Sequence, residues 1–433
     1  MPSRSKLPLL LMLLLPAPAA GCRPAVVDWT APETRREYAS LPGLEQSGDP
    51  QLGDHYRKLL AAGATPEQLA QSAPRFGNPP PEGRSTAELL RELVKEHPTA
   101  LTDIEAIHAR LTFPTEWVVL QQAPGLREEQ ATLRIAWLAA LRSSDHELWI
   151  DPRDGLLAEP AALDGFRAGF ALEQIRLAEL LAAERTIEAH ECLERLFAAA
   201  HQAAGQPHPL ARLTAARSRL EIVPALAWAA VQPSFRGAER RKFAALLAEQ
   251  LSAWPEESRM WIHERAVGLH TYELVRDGHL LSLLSIEELS ELRRREALDE
   301  LPAAVLANLN EDQRQYLEGM ETLIAAAGEP YHRRTSRYEA LAAGRSQLVG
   351  TQTYPWVAEP LLKLNLDDSA RLLARDRMLC EAWEFALAAA EDETAGPVGE
   401  NPLTGEPYVV SREAGSVVLR GAGEDEIRVP LGQ

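Results

Sequence analysis

No proline occurs between Pro160 and Gly205, and along that stretch Phe166, Phe170, Leu177, Leu181, Leu193, Leu196, Phe197 and Ala200 largely keep helical spacing. A run of that length, with apolar side chains every three or four residues, buries its stripe by lying as a helix against other helices. One long helix is expected there, ended by Gly205 with Pro207 and Pro209. A second should run to about Val231, bent or interrupted near Pro224, because proline lacks a donor and crowds the preceding turn. Phe243, Leu246, Leu247 and Leu251 mark the next stripe, and further helices fit 256–277, 285–300, 310–327, 331–347 and 366–391. Upstream, helices are expected at 49–62, 65–72, 85–97 and 127–142, with Ser85 and Glu88 forming a capping box. No fixed-period repeat emerges. The pattern predicts an all-α fold, an irregular antiparallel helical bundle or weak α-solenoid with a small C-terminal β-hairpin.

That hairpin rests on the β-rich runs Tyr408-Val409-Val410 and Val417-Val418-Leu419, separated by Ala414-Gly415-Ser416, with Ile427 to Val429 as a short third strand. So little sheet is marginal alone. Tyr408, Val410, Val418 and Leu419 are therefore expected to dock on the helices, while Glu424, Asp425 and Glu426 stay in water. The expected organisation is a signal peptide at 1–21, a tether at 22–48, an N-terminal helical region at 49–150, a main helical domain at 151–395 and a tail at 396–433.

The first 22 residues speak to location. Arg4 and Lys6 precede Leu7 to Leu15, where seven of nine residues are Leu, and Ala19-Ala20-Gly21-Cys22 closes the segment. A basic start, a short apolar core and a small-residue exit describe an export signal, too short for a spanning helix. The exit resembles the lipobox of bacterial lipoproteins, although Ala19 stands where that family usually has Leu. The resemblance implies acylation of Cys22 and a membrane anchor. Ordinary secretion, with cleavage at Ala17-Pro18-Ala19, is the other reading.

Acidic side chains outnumber basic ones 63 to 45, a net charge of −18. Such a surface repels phosphate backbones, so nucleic acid is not an expected partner. After the signal nothing approaches 18 uninterrupted apolar residues. Cys192 and Cys380 lack metal-binding spacing and are either small buried apolar residues or a disulfide pair.

The closing motif, Asn401-Pro402-Leu403-Thr404-Gly405-Glu406-Pro407-Tyr408, resembles the DPFTGKPL-like ending of a group of exported helical bacterial proteins with no assigned activity. Asn401 replaces the usual Asp and Glu406 the usual Lys. The tail also faintly resembles the end of type II secretion pseudopilins. The resemblance to the first group implies a helical body and two closing strands, and no mechanism. The prolines and glycine alone suffice for a tight turn into a strand.

For chemistry, the densest cluster is Trp261 to Glu273. There His263, His270 and Glu273 fall near one helix face, a set able to move a proton or hold a metal, or simply a hydrogen-bonded seam. It is not HExxH, which places two histidines four apart. His190, His201 and His208 flank or approach the turn at Gly205, and His332 to Arg337 is the most basic short stretch, read as a solvated helix start. Arg293-Arg294-Arg295 reads as ion-paired helix surface. GxGxxG, GxxxxGK[ST] and GxSxG do not occur, and no cofactor or metal is expected. The chain thus reads as a lipid-anchored, non-enzymatic envelope protein, a scaffold or partner-binding module for another envelope protein. The alternative is an envelope hydrolase or a protein binding a small molecule or cell-wall fragment, with His263, His270 and Glu273 as its site.

Overall fold

A computed structural model describes residues 86–98, 104, 108, 126–142, 161–206, 208–276, 278–284, 286–294, 298–347, 354–363, 366–392, 399–421 and 426–431. The expected signal, Cys22, the tether, the helices at 49–62 and 65–72, Ser85, Glu424 and Asp425 lie outside the described residues. The described helices are α1 (Thr86–Glu96), α2 (Leu126–Leu141), α3 (Ala161–Ala182), α4 (Thr186–Ala204), α5 (Pro209–Ala230), α6 (Ala238–Ser252), α7 (Glu257–Arg276), α8 (Ile286–Arg294), α9 (Leu301–Ala326), α10 (Tyr331–Ser346), α11 (Ala358–Lys363) and α12 (Leu366–Glu391). Three strands follow, β1 (Val409–Glu413), β2 (Ser416–Arg420) and β3 (Ile427–Pro430). The fold is mostly helical with a small C-terminal antiparallel sheet, as the periodicity predicts.

The expected single helix across 161–204 is instead two, α3 and α4, folded into a hairpin. Glu184 takes φ 56. The Arg185 N–H reaches the Leu180 carbonyl at 2.9 Å, and the Glu184 N–H the Leu181 carbonyl at 3.2 Å. These two bonds close a Schellman turn, whose left-handed position is usually glycine. Here it is glutamate, so the usual sequence signal is missing. Between α4 and α5 the usual signals operate: Gly205 ends one helix, and the His208 Nδ1 accepts the Leu210 N–H at 3.1 Å to open the next. Pro209 sits in the first turn of α5, where its missing donor costs nothing. Pro224 lies inside α5 without ending it. The same first-turn tolerance corrects the start of α9. It begins at Leu301 rather than near 310, because Pro302 falls in its opening turn.

The buried apolar side chains form two clusters. The first joins α1 to α6, the second half of α12 and the sheet; the second joins α7, α9, α10, α11 and the start of α12. Helices in the first approach closely through small residues. A Cβ on Gly169 of α3 would lie 2.0 Å from the Trp137 ring of α2, so only glycine admits that indole. The sheet order is β1-β2-β3, with Val409 opposite Arg420 and Leu419 opposite Ile427. Ala414 and Gly415 both take positive φ, 48 and 78, in the two-residue turn that joins β1 to β2. Tyr408, Val417, Leu419, Ile427 and Val429 enter the first core, and Val410 packs at its edge. Val418 is buried outside both clusters, and Glu426 is exposed, paired with Arg420 and Arg428.

Candidate functional site

His263, His270 and Glu273 fall on α7, but their side chains lie outside the described residues. What is described is the seam between α7 and α9. Asp312 of α9, almost fully buried, accepts the Tyr272 hydroxyl at 2.7 Å, the Val357 N–H at 2.8 Å and the Ala358 N–H at 2.7 Å. One carboxylate therefore caps α11 and anchors α7 together. Burial raises the Asp312 carboxyl pKa, opposed by these donors, and pushes the Tyr272 hydroxyl well up. The Tyr272 and Tyr316 rings lie 5.6 Å apart, and Tyr316 donates its hydroxyl proton to the Glu264 carbonyl at 2.9 Å. Arg265 reaches Glu321 at 3.2 Å. Beside it the Glu264 carboxyl is pushed up to about 7 by burial.

Two further polar centres lie in the first core, and neither was evident in the sequence. Glu173 on α3 is buried between Arg134 of α2 and Arg195 of α4. The latter donates at 2.7 Å, and the Cys192 thiol donates at 3.2 Å. Desolvation pushes this carboxyl up, but the two guanidiniums prevail and hold it below its ordinary value. Arg219 on α5 grips Asp376 of α12 through three bonds, 2.8 Å and 3.1 Å from Nε and 2.6 Å from one terminal nitrogen. Both side chains are 2% exposed, and the guanidinium stacks 4.6 Å above the Trp254 ring. Cys192 and Cys380 are both free and buried, the Cys380 thiol pushed up by burial.

Other arginines share one task. The helices α5, α6, α9 and α12 have no basic residue in their own last turn to meet the negative end of the helix dipole. Arginines from elsewhere supply it. Arg240 donates to the Ala230 carbonyl at the end of α5, and Arg334 to Ala327 at the end of α9. Arg412 of β1 donates to Ala389 near the end of α12. Arg212 joins the ends of α4 and α6 through Gln206 and Pro255. It is buried, and desolvation lowers its pKa to about 10. Its charge is met by those two carbonyls and, at longer range, by the carboxylates of Glu257 and Glu256.

The basic stretch from His332 is therefore not a solvated helix start throughout. Arg334 is buried and pairs with Glu257 at 2.7 Å, because α9 needs its terminal carbonyls filled. Arg333 and Arg337 remain on the surface. Arg293 and Arg294 are exposed on α8, as expected, and Arg295 lies outside the described residues. His190 and His201 fall near opposite ends of α4 and do not converge. His190 meets Glu239 at 3.7 Å and the edge of Phe235. The His208 imidazole is held neutral by burial, its pKa near 3.

Among the described residues no group of three or more His, Cys, Asp or Glu side chains is placed to hold a metal ion, and no helix is long and apolar enough to cross a membrane. Compared with protein-family models, curated proteins and solved structures, the chain gives no match.

Proposed function

We propose that this chain is a non-enzymatic helical scaffold of the bacterial cell envelope, presented at a membrane by an acyl anchor on Cys22 and binding another envelope protein. The observation that supports it most is the use of the buried charges. Glu173, Asp312, Asp376, Arg212, Arg219, Arg240 and Arg334 each join one element to another. A carboxylate held by donors from two other elements, as Glu173 and Asp312 are, is a poor proton shuttle and a good rivet. The anchor rests on the lipobox-like exit of the leader. Labelling cells with a clickable fatty acid tests it. Wild-type protein should carry the label and fractionate with membranes, and Cys22→Ser should lose the label. An unlabelled wild-type protein that needs no detergent sinks the anchor.

One observation favours a second reading, an envelope hydrolase or small-molecule binding protein. Glu264 sits beside His263 on α7 with a carboxyl shifted to about 7, a value suited to general acid–base work. Under the scaffold reading, purified protein holds no stoichiometric metal and His270→Ala changes stability alone. One tightly held zinc or manganese per chain, lost in His263→Ala, would favour the hydrolase.

A further inference from the structure

The loop from Glu400 to Tyr408 touches both cores. It is built around Asn401, which is fully buried. The Asn401 N–H donates to the Glu406 carbonyl at 2.8 Å, and the Gly405 N–H donates back to the Asn401 carbonyl at 2.8 Å. The side-chain Oδ1 accepts the Leu403 N–H at 2.7 Å, and the amide NH2 donates to the Gly421 carbonyl at the end of β2. This loop has a fixed shape of its own and is fastened to the sheet.

Its outward contacts lie on different bodies. Leu403 packs against both apolar clusters. Glu400 meets Arg333 of α10 at 3.7 Å. Gly405 lies over His332, with φ 77 and an imagined Cβ only 2.9 Å from that ring. At the other end the Tyr408 hydroxyl reaches Glu381 at 3.2 Å on the half of α12 that belongs to the first core. The long helix α12 also runs through both, with Ala370 in the second cluster and Met378 to Ala390 in the first. The bodies also touch where α5 lies against α7. A shared helix with one such contact still leaves an angle that bending or shear can change, and a further connection at the loop fixes it.

We propose that residues 400–408 are a preformed strap that sets the angle between the two helical bodies, so that they move and unfold as one unit while it is seated. In a scaffold that angle determines how far apart its two surfaces are presented, and the strap works whatever the partner is.

Hydrogen exchange and calorimetry on the full chain test this. Gly405→Val puts a β-branched side chain at positive φ and drives it into His332, leaving both apolar cores untouched. Exchange across Tyr331–Ser346 should then quicken on the order of tenfold, with α4 to α6 unchanged. One heat transition should become two. Leu403→Ala, which keeps every backbone bond of the loop, should give the same pattern more weakly. Unaltered exchange in α10, or a uniform loss of protection through both bodies in one transition, overturns the strap. Should Gly405→Val not fold, Leu403→Ala decides alone by the same criterion.

Discussion

Two cores in one chain solve the same packing problem with different residues. Twenty alanines line the first cluster and three the second, while the second holds four tyrosines and the first only Tyr408. Alanine brings helix axes together and adds no polar atom to satisfy, so the first body can be packed backbone against backbone. Its remaining charges then lie deep and need close partners, as Arg219–Asp376 and Glu173 with its two arginines have. Tyrosine fills more space but brings a hydroxyl that needs a partner when buried. Tyr272 bonds Asp312, Tyr316 bonds the Glu264 carbonyl and Tyr331 bonds Asp367 at 2.8 Å. The first body is therefore held by ion pairs inside an alanine core, the second mainly by hydroxyl bonds at its helix seams, with the Arg334–Glu257 pair beside them.

The sharpest break in that contrast is Arg219→Ala. It leaves Asp376 charged and buried without its cation, which costs about 3–5 kcal/mol. Urea melts of the variant should show that loss, and Arg219→Met combined with Asp376→Leu should recover much of it, since a well-packed apolar pair replaces a buried ion pair at little cost. A loss below about 1 kcal/mol for Arg219→Ala would mean that water reaches the pair. Next comes Leu196→Ala, in the middle of α4 and fully buried, expected to cost about 2–5 kcal/mol depending on how far the alanine-rich surroundings collapse. In the second body, Tyr272→Phe removes one of the three donors to Asp312 but keeps the ring, and should cost about 1–2 kcal/mol in the same melts. Equal losses for Tyr272→Phe and Arg219→Ala would erase the distinction between the bodies.

Much of this architecture is legible in the sequence because apolar spacing is local. The stripes at Phe166 and Phe170, at Leu193, Leu196 and Phe197, and at Phe243 to Leu247 all turn inward. Turn chemistry is legible where glycine and proline carry it, as at Pro209, which opens α5, and at Ala414-Gly415. It fails at Glu184, an exposed glutamate that the turn's backbone bonds hold in a glycine conformation at a cost of roughly 1–2 kcal/mol. It fails again at Pro302, which opens a helix instead of ending one. The buried charges were not legible for another reason. Arg219 and Asp376 are 157 residues apart and Glu173 and Arg195 are 22 apart, and nothing local distinguishes them from surface residues. The helix-end arginines leave a faint trace, as Arg240 and Arg334 each follow within about ten residues of a helix that lacks a basic last turn. For α7 the sequence marks a polar helix; the described part of its seam runs through Tyr272, Glu264 and Asp312, and the side chains of His263 and His270 lie outside the described residues.

The smallest expected effect separates the bodies by pH. In the second, Glu264 has a folded pKa near 7 against an ordinary 4.5. Between those values the folded chain holds a proton that the unfolded chain has released, so stability falls as pH rises from about 4.5 to 7. In the first, His208 has a folded pKa near 3 against an ordinary 6.5. There the unfolded chain takes up the proton first, so stability falls as pH drops from about 6.5 toward 3. The two slopes have opposite sign. Glu264→Gln should therefore gain about 1 kcal/mol relative to wild type at pH 8, a figure discounted for partial exposure, and nothing below pH 4.5. His208→Asn keeps a helix-capping acceptor and removes the proton. Its stability relative to wild type should be about 1 kcal/mol or more better at pH 4 than at pH 8. Melts of the three proteins at pH 4, 6 and 8 read both. A Glu264→Gln difference that stays constant from pH 4 to pH 8 would mean the carboxyl titrates in water, and the second body would then have no buried acid on α7 to set it apart.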